Sequence, residues 1–185
     1  FDTDRTAVIE RATNAGIGRL INVGFEVEGN FQALALAQKY DFMYCTMGIH
    51  PHAASEWNED VGRKILETVK REDKVIALGE MGLDYYKNFQ PREVQHAALR
   101  GQLLLAQELQ LPVIIHCRDA FTELFTILAE IQPVRVLLHC FTGTLEEAER
   151  AWKLGYYTAF TGIITYPSAR PLRAVAAACP PDRLR

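Results

Sequence analysis

The chain has 185 residues, 49% of them hydrophobic and 23% charged, with a net charge of -3. That length suits one domain with a substantial core, and no apolar run approaches the ~18 residues of a membrane span. The acidic balance argues against broad electrostatic tracking along a duplex, while leaving room for a local cationic pocket that grips one end of a nucleic acid.

In chain order the first pattern is helical: residues 3–15 place Ala7, Val8, Ala12 and Ala15 at helical spacing. The apolar run "RLINVG" (19–24) follows, then a helix over 31–39 with Phe31, Leu34, Ala35 and Ala37. "FMYCTMGI" (42–49) is the second run and passes into "GIHPH" (48–52), where Pro51 interrupts strand pairing and marks a loop. A helix over 60–70 sets Val61, Ile65, Leu66 and Val69 on one side. The third run, "VIALGE" (75–80), ends on a carboxylate. The longest helix, 92–110, stacks Val94, Ala97, Ala98, Leu104 and Leu105. "PVIIHC" (112–117), a helix over 120–131 and "VRVLLHC" (134–140) come next. "TLEE" (144–147) is a capping box opening a helix that Gly155 can end. After "YYTAFTG" (156–162), Ser168 is placed to cap a last helix with Leu172, Val175 and Ala176 facing inward.

Near-continuous apolar runs read as strands buried on both faces, and their regular alternation with helices means α/β with a parallel sheet. An open doubly wound sheet and a TIM (β/α)8 barrel compete. A nucleotide-binding doubly wound fold shows a glycine-rich turn after its first strand. "INVGFEVEGN" has none, which favours the barrel. Cys45, Cys117, Cys140 and Cys179 form no C-x-x-C pair, so reduced thiols in a cytoplasmic protein are expected. Cys117 and Cys140 each follow a histidine by one residue, which on a strand turns them toward the helices.

Barrel active sites lie at the C-terminal ends of the strands. There Glu80, His116 and His139 arrive on successive strands, and two imidazoles with a carboxylate make a divalent-metal site with positions left for water. A cation would explain a carboxylate at the end of an interior strand. His50 and His52 are expected at the rim, as substrate contacts or as support for the ligands. Arg118 suits bidentate contact with phosphate, the plainer alternative being an ion pair with an acid such as Asp119. Tyr85 and Tyr86 can pack or stack on a base.

The stretches "INVG", "MGIHPH", "ALGEMGLDYY", "PVIIHCRDA" and "LLHCFTGT" resemble, in order and spacing, the TatD-type metal-dependent deoxyribonucleases. The resemblance runs through essentially the whole chain. It implies a metal-dependent hydrolase barrel that cleaves DNA phosphodiester bonds, from strand ends on an acidic protein, with Glu80 both a bridging ligand and a catalytic group. It implies divalent metal ions, two in the intact protein, zinc, manganese or magnesium, with Glu80, His116 and His139 as ligands. The family also brings an H-x-H pair on a first strand and an Asp on a last strand, and neither occurs here. The expectation is therefore a single barrel domain over 1–185 with about six strands, truncated at both ends, and monomeric when complete. Two alternatives stay open: a related barrel hydrolase of esters, lactones or amides, disfavoured by the lack of a lysine beside Glu80, and a non-catalytic scaffold.

Overall fold

A computed structural model describes residues 1 and 3–185. Among the described residues, seven α-helices alternate with six strands: α1 (Arg5–Asn14), β1 (Leu20–Val23), α2 (Val27–Lys39), β2 (Met43–Met47), α3 (Glu59–Val69), β3 (Val75–Asp84), α4 (Arg92–Leu109), β4 (Val113–Arg118), α5 (Phe121–Ile131), β5 (Val136–His139), α6 (Leu145–Lys153), β6 (Tyr157–Thr158) and α7 (Arg170–Ala178). No described helix is long and apolar enough to cross a membrane.

All strands are parallel and follow one another in the order β1-β2-β3-β4-β5-β6. A doubly wound sheet reverses its strand order at a switch point; this one never does. With right-handed crossovers, an unreversed order lays every connecting helix on one face of the sheet. That is the winding of a (β/α) barrel, here with six strands and not closed. Beyond β6, Leu184 makes a parallel bridge to Thr158, so this margin carries backbone pairing. On the β1 side a trough of about 1180 Å³ runs between α1, β1 and α2, and it contains none of the rim histidines or acids.

The core lies between sheet and helices. Leu99, Leu103 and Ala106 of α4 are fully buried, as are Val113 and Ile115 of β4. β4 alternates: Val113, Ile115 and Cys117 are buried, while Ile114, His116 and Arg118 are only half so. β5 does the same, with Val136 and Leu138 buried against Leu137 and His139. Burial on both faces, expected from the apolar runs, therefore fails near the rim, where the face opposite the helices stays open. This puts His116 and His139 on that open face.

Several boundaries differ from the sequence reading. β3 does not end at Glu80 but continues four residues to Asp84. β6 keeps only two of the seven residues in "YYTAFTG". α2 starts at Val27, four residues early. "HPH" enters a 3-10 turn over Pro51–Glu56. Ser168 does not cap α7, whose N-cap is Ala169 with a proline in the first turn; that ring fixes the backbone for helix entry without a side-chain cap. The capping box at Thr144 and Glu147 forms as expected, and Gly155, at φ 82°, follows the last residue of α6's cap.

Glycines let β3 approach its neighbours. Gly82 has φ 150°, and a Cβ there would collide with the carbonyl oxygen of His116. A Cβ on Gly48 would come 2.6 Å from Gly79 Cα. We expect Gly82→Ala to destabilise the chain by about 2 kcal/mol or more, since both the backbone conformation and the space are wrong for a side chain. Urea denaturation measures this, and an unchanged midpoint would refute the close-approach account.

Candidate active site

Two buried glutamines on α4, Gln95 and Gln102, sit two helical turns apart and hold the rim segments in place. Gln102 accepts from the Ile49 N–H at 2.7 Å and donates back to the Ile49 carbonyl at 3.0 Å. Gln95 accepts from the Asp84 N–H at 2.8 Å and donates to the carbonyls of Asp84 (3.2 Å) and Gln90 (2.8 Å). A side-chain amide that pairs with both the N–H and the C=O of one residue imitates a strand neighbour and satisfies backbone at or just past the end of a strand. From the other side, Asn30 of α2 accepts from the Gly48 N–H at 2.9 Å. The segment carrying His50 is thus fixed at both flanks, and the His50 N–H donates to the Phe25 carbonyl at 2.8 Å.

The side chains converge around His116. Its Nδ1 lies 3.4 Å from Glu80 Oε1, and its Nε2 lies 3.0 Å from Asp84 Oδ2. The same Asp84 oxygen lies 3.0 Å from His52 Nε2. Asp84 Oδ1 accepts from the Lys87 N–H at 2.8 Å. The His50 ring meets that of His116 edge-on with centroids 4.5 Å apart. Donor atoms of His50, Glu80 and His116 all lie within 4.8 Å of one another. Glu80, His116 and His139 do not form so tight a group: His139 is the register partner of His116 on β5, but its ring stays outside the trio.

Charge follows from this geometry. Burial pushes the Glu80 carboxyl up, but the bond from His116 and the nearby imidazoles outweigh it and leave the pKa below the ordinary value. Asp84 behaves likewise: burial raises it, and its bonds from Lys87, His116 and His52 win. Burial alone would lower His116, yet Glu80 and Asp84 hold its pKa above the ordinary 6.5. His50 has no bonded acid. Its burial, reinforced by the charge of His116, pushes it down to about 4, so it is neutral at neutral pH. Its Nδ1 accepts from the His52 N–H at 3.2 Å, which leaves the ring proton on Nε2 and makes His50 a donor.

Arg118 closes the rim. It forms no ion pair among the described residues, so the alternative of a bridge to Asp119 does not occur. Its guanidinium lies over the Tyr86 ring, 3.6 Å from the centroid. Tyr85 packs instead, its hydroxyl 2.5 Å from His96 Nε2. Cys117 is buried as expected, whereas Cys140 lies past the end of β5 at φ 46°, with Sγ 3.0 Å from Thr161 Oγ1.

Asp84, Gln95 and Gln102 are the residues that sequence reasoning passed over. Asp84 had a signal. Glu80, Gly82 and Asp84 alternate, so one extended strand presents both acids on one face. Ending the strand at Glu80 hid it.

A family model for "TatD related DNase" matches residues 1–184. The chain is 39% identical over its full length to the "uncharacterized metal-dependent hydrolase YabD" of Bacillus subtilis, covering 72% of it. It is 39% identical to the "3'-5' ssDNA/RNA exonuclease TatD" of Cronobacter sakazakii, covering 71% of that protein. Among solved structures, the TatD homologue YjjV of Escherichia coli K12 superposes with a TM-score of 0.92 at 35% identity, over all of this chain and 72% of that one. The TatD-family hydrolase of Entamoeba histolytica gives 0.85 at 27% identity, over 98% of this chain and 64% of that one. The sheet order, the rim acids and imidazoles, and a family match over nearly every residue agree: this chain belongs to the TatD-related DNase family.

Proposed function

We propose that this chain is a divalent-metal-dependent phosphodiester hydrolase that removes nucleotides from a DNA strand end. Glu80, His116 and His139 hold metal, and His50, His52 and Arg118 meet the substrate. The observation that carries this is the pair of acids around one imidazole: Asp84 accepts from Nε2 of His116, and Nδ1 faces Glu80 at 3.4 Å, the side from which a cation would displace its proton. A carboxylate behind a ligating histidine is the usual way to fix its tautomer and raise its basicity. Two of these ligands, Glu80 and His116, fit a cation, since together with His50 they bring imidazole and carboxylate atoms within 4.8 Å of one another, and His139 stands beside them as the register partner of His116; such donors suit zinc or manganese, with magnesium a candidate for turnover. A divalent ion held there would polarise a phosphoryl oxygen and make a bound water nucleophilic near neutral pH. Glu80 has a second carboxylate oxygen, so one acid can serve two ions.

The remaining residues bind and orient. His50, neutral with its proton on Nε2, donates to a non-bridging phosphate oxygen. Arg118, with no acid to satisfy it, presents a fork of donors to the next phosphate. The His52 ring donates to Asp84 and keeps that carboxylate ionised beside the site. Curated relatives named as 3'-5' ssDNA/RNA exonucleases support an end-directed reaction on single strands, with RNA as a second substrate. The rim position of these residues on an acidic protein agrees with that. Linear single-stranded DNA should be degraded, while closed circular single strands persist; equal rates on both, measured on gels, would refute end-directed cleavage.

Without metal, His116 carries a proton held by Glu80 and Asp84. Because its folded pKa is raised, this contribution to stability is complete below the ordinary imidazole value of 6.5 and disappears as pH rises through the raised one. Metal must displace that proton. Calorimetric titration of the metal-free protein at pH 7 in buffers of different ionisation enthalpy should show proton release that fades at higher pH and is absent in His116→Asn. Heats independent of buffer in the unaltered protein would contradict the assignment.

Asp84→Asn keeps the shape but offers the two imidazoles an amide where a shared acceptor stood. We expect metal affinity to fall by about 10–100-fold with the fold retained. Competition with a chromophoric chelator, alongside a thermal melt, measures both, and unchanged affinity would remove Asp84 from the site.

A further inference from the structure

The loop that follows β3 carries two exposed aromatic rings directly beside the site. Tyr86 is 59% exposed and Phe89 63% exposed. The loop is nonetheless held firmly. Its start is tied by the Lys87 N–H to Asp84. Its end is tied by the Gln90 carbonyl to Gln95 and by the Gln90 side chain to the His52 carbonyl at 3.3 Å. Tyr85 forms a pillar beneath, between His96 and the Arg92 guanidinium 4.0 Å from its ring centroid. The Phe89 ring packs edge-on against His52 with centroids 4.7 Å apart. Two cations flank the rings: Arg118 over Tyr86, and the Lys87 ammonium 5.8 Å from the same ring centroid. Neither forms an ion pair among the described residues.

We propose that Tyr86 and Phe89 form a stacking platform for the unpaired bases of a single strand, with Arg118 and Lys87 on its phosphates, and that this loop selects single strands over duplex ends. The proposal rests on the nuclease reading of the same site. Largely exposed rings beside unneutralised cations match the two parts of a single-stranded nucleic acid, which offers a π-face and an anion at each step. Bases inside a duplex already stack on each other and cannot lie on a ring without unpairing. The platform is fixed before binding, so little ordering opposes it. A protein partner is the competing occupant. The continuity of the patch with His52, and through Asp84 with His116, favours the nucleic acid.

The test is fluorescence anisotropy with a labelled oligothymidylate whose 3' terminal linkages are phosphorothioates, in magnesium, against the same oligonucleotide with two terminal abasic residues and against a blunt duplex. Wild type should bind the base-bearing strand about tenfold tighter than either comparison, given that stacking of one base is worth about 1–3 kcal/mol. Tyr86→Ala with Phe89→Ala should lose that factor on the base-bearing strand and leave abasic binding unchanged, while Phe89→Tyr should retain it. A wild-type ratio near one overturns the platform, whatever the variants do. So does equal loss on both strands in variants that melt like wild type. Should the double variant not fold, the two single variants are read in the same way. Wild type that binds none of the three would sink the nuclease reading itself, which separates the two failures.

Discussion

Oδ2 of Asp84 accepts from two imidazoles at once, His52 and His116, each at 3.0 Å. An acceptor-only carboxylate has room for both, and its choice of partners sets the direction of everything else. His116 is bonded on Nε2, so Nδ1 is the atom left for Glu80. His52 is bonded on Nε2, and its backbone N–H takes the lone pair of His50. His50 then carries its proton on the nitrogen away from that bond. Three histidines lie together with no freedom over which nitrogen is a donor.

Taking ionised acids out of water costs several kcal/mol each unless partners replace the lost solvation. Here the replacements are hydrogen bonds: from Lys87, His52 and His116 for Asp84, and from His116 for Glu80. Glu80 is the less completely satisfied of the two, with one partner 3.4 Å away. A site that will receive a cation needs one acid already spoken for and one still short of positive charge. The two acids of β3 divide those parts between them.

The alternation of apolar runs with helices was enough to read the parallel sheet, its six strands and the helix between each pair. Hydrophobic periodicity reports which side of an element is buried, and in this winding burial and topology are one problem. His116 and His139 were legible as residues near strand ends for the same reason, Glu80 as an acid of the same face though not as the end of its strand, and His50 and His52 as rim residues because Pro51 broke the pattern. The length of β3 was not legible. Its Gly79 and Gly82 look like strand enders, and only contact with the backbone of Ile114 and His116 shows that they permit close approach. Missing that length meant missing Asp84. That His50, rather than His139, stands closest to Glu80 and His116 depends on ties from Gln102 and Asn30, two polar residues on helices where nothing local marks them as buried.

Gln95 and Gln102 lie two turns apart on α4, one gripping Asp84 and the other Ile49 beside His50. A single rigid rod thus acts as a ruler between two segments that are remote in sequence. Because both grips sit on one helix, the distance from His50 to Asp84 is set by the rise of that helix rather than by the loops between them.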